Sequence, residues 1–167
     1  DLNETAPYPD VQPDVWSVTT KGTEVFYCSG SFLKRKNLEK IILKEQPDVI
    51  YLNSMFSLNF TLLPLLIIRQ NNIKCKVVVA PRGMLSKGAL ALKPAKKRLF
   101  LSFSKVMGLF NKVTFHASTK IEVQEIKSVF GEKVNIVHAI NLTPEATVLK
   151  IPRVKLENKM NLIYVGR

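Results

Sequence analysis

Cysteine is scarce in this chain of 167 residues: Cys28 and Cys75 are the two, and neither sits in a C-x-x-C or metal-ligand spacing. That excludes a disulfide framework or a zinc site as the organising device. With no leader-like segment near Asp1, both thiols are expected to be small buried hydrophobes in a reducing cytoplasm. Long apolar runs are missing as well. The densest, Leu58 to Ile68, is interrupted by Asn59, Thr61 and Pro64, short of the ~20 consecutive apolar residues a spanning helix needs. Negative charge is thin, since 13 Asp and Glu face 25 Lys and Arg, giving a formal net charge of +12. Nucleic acid, an anionic membrane leaflet and phosphorylated substrates are all attracted by such a surface, so charge alone names no partner.

What the chain does have is a core. Hydrophobic residues make up 46% of it, nine of them Phe, which suits a globular domain. Residues 1 to 22 carry Pro7, Pro9 and Pro13 and are expected to be an irregular surface segment. Beyond them, strand and helix signals alternate. Glu24 to Cys28 reads as a strand, and Ser31 as the cap of a helix carrying Leu38, Ile41, Ile42 and Leu43 that Pro47 ends. Val49 to Leu52 and Val77 to Ala80 are continuous apolar runs, expected to be strands buried on both faces. Between them Leu58 to Arg69 reads as a helix, with Pro64 in its first turn or at a kink and Asn71-Asn72 closing it.

Leu99, Phe100, Phe103, Val106, Met107 and Phe110 lie on one helical stripe, with Lys97, Arg98, Lys105 and Lys112 largely off it. Val113 to Ala117 alternates as a strand does. Thr119 and Glu122 have capping-box spacing before a helix with Ile121, Ile126, Val129 and Phe130, which Gly131 can terminate. Val134 to Val137 and Leu162 to Val165 are the last strand candidates, joined by a linker-like stretch. Six strands alternating with helices predict an α/β, three-layer, Rossmann-like domain with a mainly parallel sheet.

In an open parallel sheet, ligands bind beyond the carboxyl ends of the strands. The candidate loops are therefore Cys28 to Ser31, Asn53 to Phe56, Pro81 to Met84, Ala117 to Thr119 and His138 to Asn141. Arg82-Gly83 stands out, because a guanidinium beside a flexible glycine suits a phosphate or carboxylate; a turn glycine beside a solvated arginine is the plain alternative. Asn53-Ser54 could bond a sugar hydroxyl or simply cap a helix, and Ser118-Thr119 reads first as a cap. His116 and His138 have no serine or carboxylate at triad or zinc spacing, and read as structural histidines. Lys87, Lys93, Lys96, Lys97 and Arg98 flank the amphipathic helix, forming a solvated face or a site for anionic lipid or a phosphorylated acceptor. No aromatics interleave with them as a single-strand nucleic-acid platform would require.

As an ordered set, Pro47-Asp48-Val49-Ile50-Tyr51-Leu52-Asn53-Ser54, Ala80-Pro81-Arg82-Gly83-Met84-Leu85, Lys96-Lys97, His116-Ala117-Ser118 with Glu122, Phe130-Gly131 and Leu162-Ile163-Tyr164-Val165-Gly166-Arg167 resembles family-four glycosyltransferases of the GT-B fold, bacterial surface-polysaccharide type. Many relatives carry His where Arg82 stands. The resemblance implies a retaining, metal-free enzyme that moves a sugar from a nucleotide-diphosphate donor to a glycan or lipid-linked acceptor. It needs no cofactor, and it works in the cytoplasm or peripherally on the inner membrane face.

Residues 1 to 150 then correspond to part of the acceptor-side domain, and 151 to 167 to a linker and the opening strand of a donor domain. The resemblance carries an acceptor-side site onto Arg82, Gly83, Asn53, Ser54, Phe56 and Lys97. Catalytic groups are expected beyond Arg167, so this chain alone is expected to be inactive. It is also expected to self-associate through a sheet edge, or to rearrange its first strand, because the strands that open such a domain are not among these residues. The rival reading is a non-catalytic Rossmann-like module that binds an anionic ligand, nucleic acid or a membrane surface through its basic face.

Overall fold

The structure is a computed structural model, and it describes residues 11–141. The chain opens with an antiparallel hairpin of β1 (Trp16–Val18) and β2 (Glu24–Phe26), a two-stranded sheet of its own. Gly22, at φ +78°, makes the turn, and its N–H donates to Thr19 O at 2.9 Å. This corrects two expectations. Part of the proline-rich opening is a strand, and β2 pairs with that near neighbour instead of joining the main sheet, where pairing would require closing a longer loop.

Four strands form the main sheet: β3 (Val49–Leu52), β4 (Lys76–Val79), β5 (Val113–Ala117) and β6 (Asn135–His138). All are parallel, and they lie side by side in the order the chain visits them. Of the six parallel strands expected, the described residues contain these four; Leu162 to Val165, the linker and the boundary near residue 150 lie outside the described residues. The mixed α/β architecture with a four-stranded parallel sheet is compatible with a Rossmann-like fold.

Helix α1 (Arg35–Glu45) precedes β3. It begins later than Ser31, with Lys34 at the N-cap and no side-chain cap, and it ends at Gln46 (φ +43°) before Pro47. After β3 come a π-helical turn at Leu58–Leu62 and α2 (Leu63–Gln70), with Pro64 in the first turn, where a missing N–H costs nothing. Helices α3 (Lys87–Ala91) and α4 (Pro94–Val106) link β4 to β5, and α5 (Lys120–Phe130) links β5 to β6.

With the strands in chain order, right-handed crossovers all taken in the same direction put the connecting helices on one face of the sheet. Burial follows: Val113, Phe115 and Ala117 of β5 are buried while Thr114 and His116 are half-buried. On β3, Leu52 is buried, whereas Val49 and Tyr51 are 52% and 46% exposed. Two layers, not three, therefore form among the described residues, and the strands expected to be buried on both faces are buried on one. The core lies between sheet and helices, where Phe110, Phe115 and Phe130 pack with ring centroids 4.8–5.8 Å apart. Leu85 and Ile126 belong to the same cluster.

The apolar stripe read along α4 is corrected in part. Phe100 packs against the core and Phe110 is buried, but Leu99, Phe103, Val106 and Met107 face outward. Ile121 of α5 is likewise exposed, and Val123 takes its place against the core. Cys28 and Cys75 are free and half-buried, not buried. Burial, then the Asp14 carboxylate, pushes the Cys28 thiol up; burial alone does so at Cys75. Both shifts run opposite to the depression that activates a thiol nucleophile.

Candidate functional site

The carboxyl ends of β3 to β6 form one rim, and Arg82 lies at its centre, two residues past Ala80. Arg82 and Gly83 both have positive φ, +55° and +72°. Met84 N–H closes the turn onto Pro81 O at 3.1 Å. Two consecutive left-handed residues have the sense of a type I′ turn, which is unstrained for glycine but costs about 1–2 kcal/mol for arginine.

What holds Arg82 in this conformation is its guanidinium. Nε donates to Asn53 Oδ1 at 2.6 Å, one terminal nitrogen donates to Asn141 Oδ1, and the other to the Tyr51 hydroxyl oxygen at 3.2 Å. The side chain thereby joins the ends of β3 and β6 across β4 and β5. It is exposed, and with three of a guanidinium's five N–H bonds engaged, two face no acceptor among the described residues.

Tyr51 extends the network to β5. Its hydroxyl lies 2.5 Å from His116 Nδ1, and His116 Nε2 lies 2.8 Å from Ala139 O. A carbonyl can only accept, so Nε2 carries a proton and donates to it; in the neutral imidazole Nδ1 then accepts from the Tyr51 O–H. His116 is a satisfied structural histidine that orients Tyr51, and through it Arg82.

Gly83 is fixed from below by Glu122, a buried carboxylate 4% exposed at the start of α5. Oε1 accepts from Gly83 N–H at 2.8 Å; Oε2 accepts from Ser118 N–H at 2.7 Å and from the Ser118 hydroxyl at 2.9 Å. The capping box therefore forms in an altered sense. Thr119 Oγ1 accepts from Glu122 N–H at 3.1 Å, but the carboxylate reaches the neighbouring turn instead of Thr119 N–H. Burial pushes this carboxyl up, yet the bonds from Ser118 N–H, Gly83 N–H and the Ser118 hydroxyl, with the Arg82 charge, outweigh it. The net result holds Glu122 below the ordinary carboxylate range.

The remaining predicted positions separate into two groups. Ser54 adjoins Asn53, with its hydroxyl 3.8 Å from Met84 Sδ and its carbonyl accepting from Thr61 Oγ1 at 3.0 Å; the helical cap expected of it is supplied by Ser57. Phe56 and Lys97 instead meet each other. The Lys97 ammonium lies 5.2 Å from the Phe56 ring centroid and donates to Ala89 O at 2.5 Å, while Phe56 packs edge-on against Phe100. That pair braces α4, and no contact joins it to the Arg82 network.

The loop Cys28 to Ser31 belongs to the hairpin, where Ser29 N–H and Oγ–H donate to the Asp14 carboxylate at 2.7 and 2.6 Å. An open groove of about 520 Å³ runs along β3, with Leu38 and Ile42 of α1 and Ile50 and Phe60 among its walls and Asn53 and Ser54 at its rim end.

Comparison with family models, curated proteins and solved structures gives no match for this chain. Sequence reasoning missed Tyr51, His116, Asn141 and Glu122 as members of one network. Asn141 and His116 did fall in or beside the strand-end segments, but nothing in their spacing links residues 65 or 59 positions apart. Among the described residues no group of three or more His, Cys, Asp or Glu is placed to hold a metal ion, and no helix there is long and apolar enough to cross a membrane.

Proposed function

We propose that this chain is the acceptor-side lobe of a family-four, GT-B-type glycosyltransferase, which transfers a sugar with retention from a nucleotide-diphosphate donor to a glycan or lipid-linked acceptor. The observation that carries this reading is the strained, networked Arg82 at the centre of the rim, with two N–H bonds directed to no acceptor among the described residues. Strain persists where the surroundings over-determine it, and a pre-oriented guanidinium at a strand end is a site for phosphate or carboxylate. The apolar groove beside Asn53 and Ser54 supports an acceptor that joins a polar head to a lipid portion. In this reading the donor pocket and the cationic groups that stabilise the leaving diphosphate belong to a second lobe.

The test is binding of a short-chain prenyl phosphate sugar, followed by amide shifts. Shifts are expected at Asn53, Gly83 and Asn141, and Arg82→Lys should weaken binding about tenfold, because a point charge lacks the planar fork. In a polypeptide that includes the donor lobe, the same change should lower kcat/KM for the acceptor by a similar factor. Shifts confined to Lys87–Arg98, with random-sequence DNA competing equally, would instead favour a non-catalytic anion-binding module.

A further inference from the structure

The outward face of α4 has no partner among the described residues, and its composition is specific. Leu99 and Val106 are 73% and 87% exposed, and Phe103 is 46% exposed. At helical spacing these three fall within one narrow stripe. The small residues Ala95 and Ser102 share that face, Lys96 borders it on one side, and Arg98 and Lys105 border it on the other, all of these cations exposed. Leu92, 69% exposed, continues the apolar surface just ahead of the helix. The opposite face, with Phe100, Leu101 and Ser104, is the one turned to the protein.

The local charge is of one sign, since no Asp or Glu occurs between Asp48 and Glu122. We infer that α4 seats the molecule on an anionic phospholipid surface, with Leu99, Phe103 and Val106 entering the acyl boundary and Lys96, Arg98 and Lys105 lying among the headgroup phosphates. An apolar centre flanked by cations is the arrangement an interfacial helix requires. A second copy fits poorly, because the same face repeated would set cation against cation with no acid to relieve them. A nucleic-acid backbone would satisfy the cations but leave the apolar stripe in water. This inference does not depend on the sugar-transfer reading.

Vesicle flotation tests it. The protein should rise with phosphatidylcholine vesicles that contain phosphatidylglycerol, and not with pure phosphatidylcholine. L99D/V106D and R98E/K105E should each weaken partition at least about tenfold, the second effect shrinking at high salt. All four positions are solvent-exposed, so far-UV circular dichroism should be unchanged. F103W gives a readout independent of those variants: quenching by brominated lipid beyond that of the parent protein is expected.

Failure to float with either vesicle, equal flotation with both, retention by both double variants, or unquenched F103W fluorescence would each overturn the inference. So would concentration-dependent self-association that L99D/V106D abolishes, which would assign the face to a second copy.

Discussion

Glu122 shows how a single residue sets the site. A carboxylate buried without partners would be strongly unfavourable, but this one accepts three hydrogen bonds, two of them from backbone N–H groups. Its effect is to bind the Arg82–Gly83 turn to the N-terminus of α5. Because the native pKa is depressed, the stabilisation is fully present above the ordinary glutamate range and is lost as pH falls through the lower native value.

Glu122→Gln keeps the shape and removes the charge. Urea unfolding at neutral pH should show a loss of about 2 kcal/mol, and the gap to the parent should close in acid. A gap that stays constant with pH would mean the charge is not what stabilises the turn. At this scale the sequence showed that Arg82-Gly83 was a turn and Thr119 a cap, since both follow from local backbone preference. That Glu122 serves the first as well as the second depends on two segments 39 positions apart meeting, which no local preference encodes.

At the scale of the element, α4 is where periodicity misled. A stripe at 3.6-residue spacing shows that a helix is two-sided, not which side the protein covers. Here the covered side includes Ser104, fully buried with its hydroxyl unpartnered among the described residues, while Leu99 and Val106 face out. Ser104→Ala removes the orphan hydroxyl and improves helix propensity, so thermal denaturation should show a stabilisation of about 1 kcal/mol, a rise of a few degrees in Tm. An unchanged or lower Tm would mean the hydroxyl finds a partner in solution.

The four parallel strands were readable for a different reason. Short β-branched runs bounded by Pro, Asn and Gly mark strands wherever they lie. The hairpin strand β1 was not, because its flanking residues, Val15 and Thr19, share the polar, proline-rich context of a loop and all three of its residues are exposed.

At the scale of the whole fold, the decisive feature is a sheet that the described residues cover on one side. Parallel sheets are normally sheltered on both faces, yet Val49, Tyr51 and Val137 are exposed on the bare one, and β3 ends the sheet with a free edge among the described residues. Such an edge and face favour pairing with another copy. Light scattering should show association that increases with concentration, and Val49→Lys, which sets a charge on the bare face at the edge strand, should shift the population toward monomer. A monomer at all concentrations would mean the edge is protected in solution.

The sequence by itself determined the α/β class, the position of four strands, the Arg82-Gly83 turn, the cap at Thr119 and the strong positive charge, because each depends on neighbours along the chain. The tertiary structure alone decided that the helices share one face, that β2 leaves the main sheet, and that Arg82 reaches Tyr51, Asn53 and Asn141 while Lys97 turns to Phe56. Those outcomes depend on the handedness of crossovers and on contacts between distant segments, and local pattern carries no record of either.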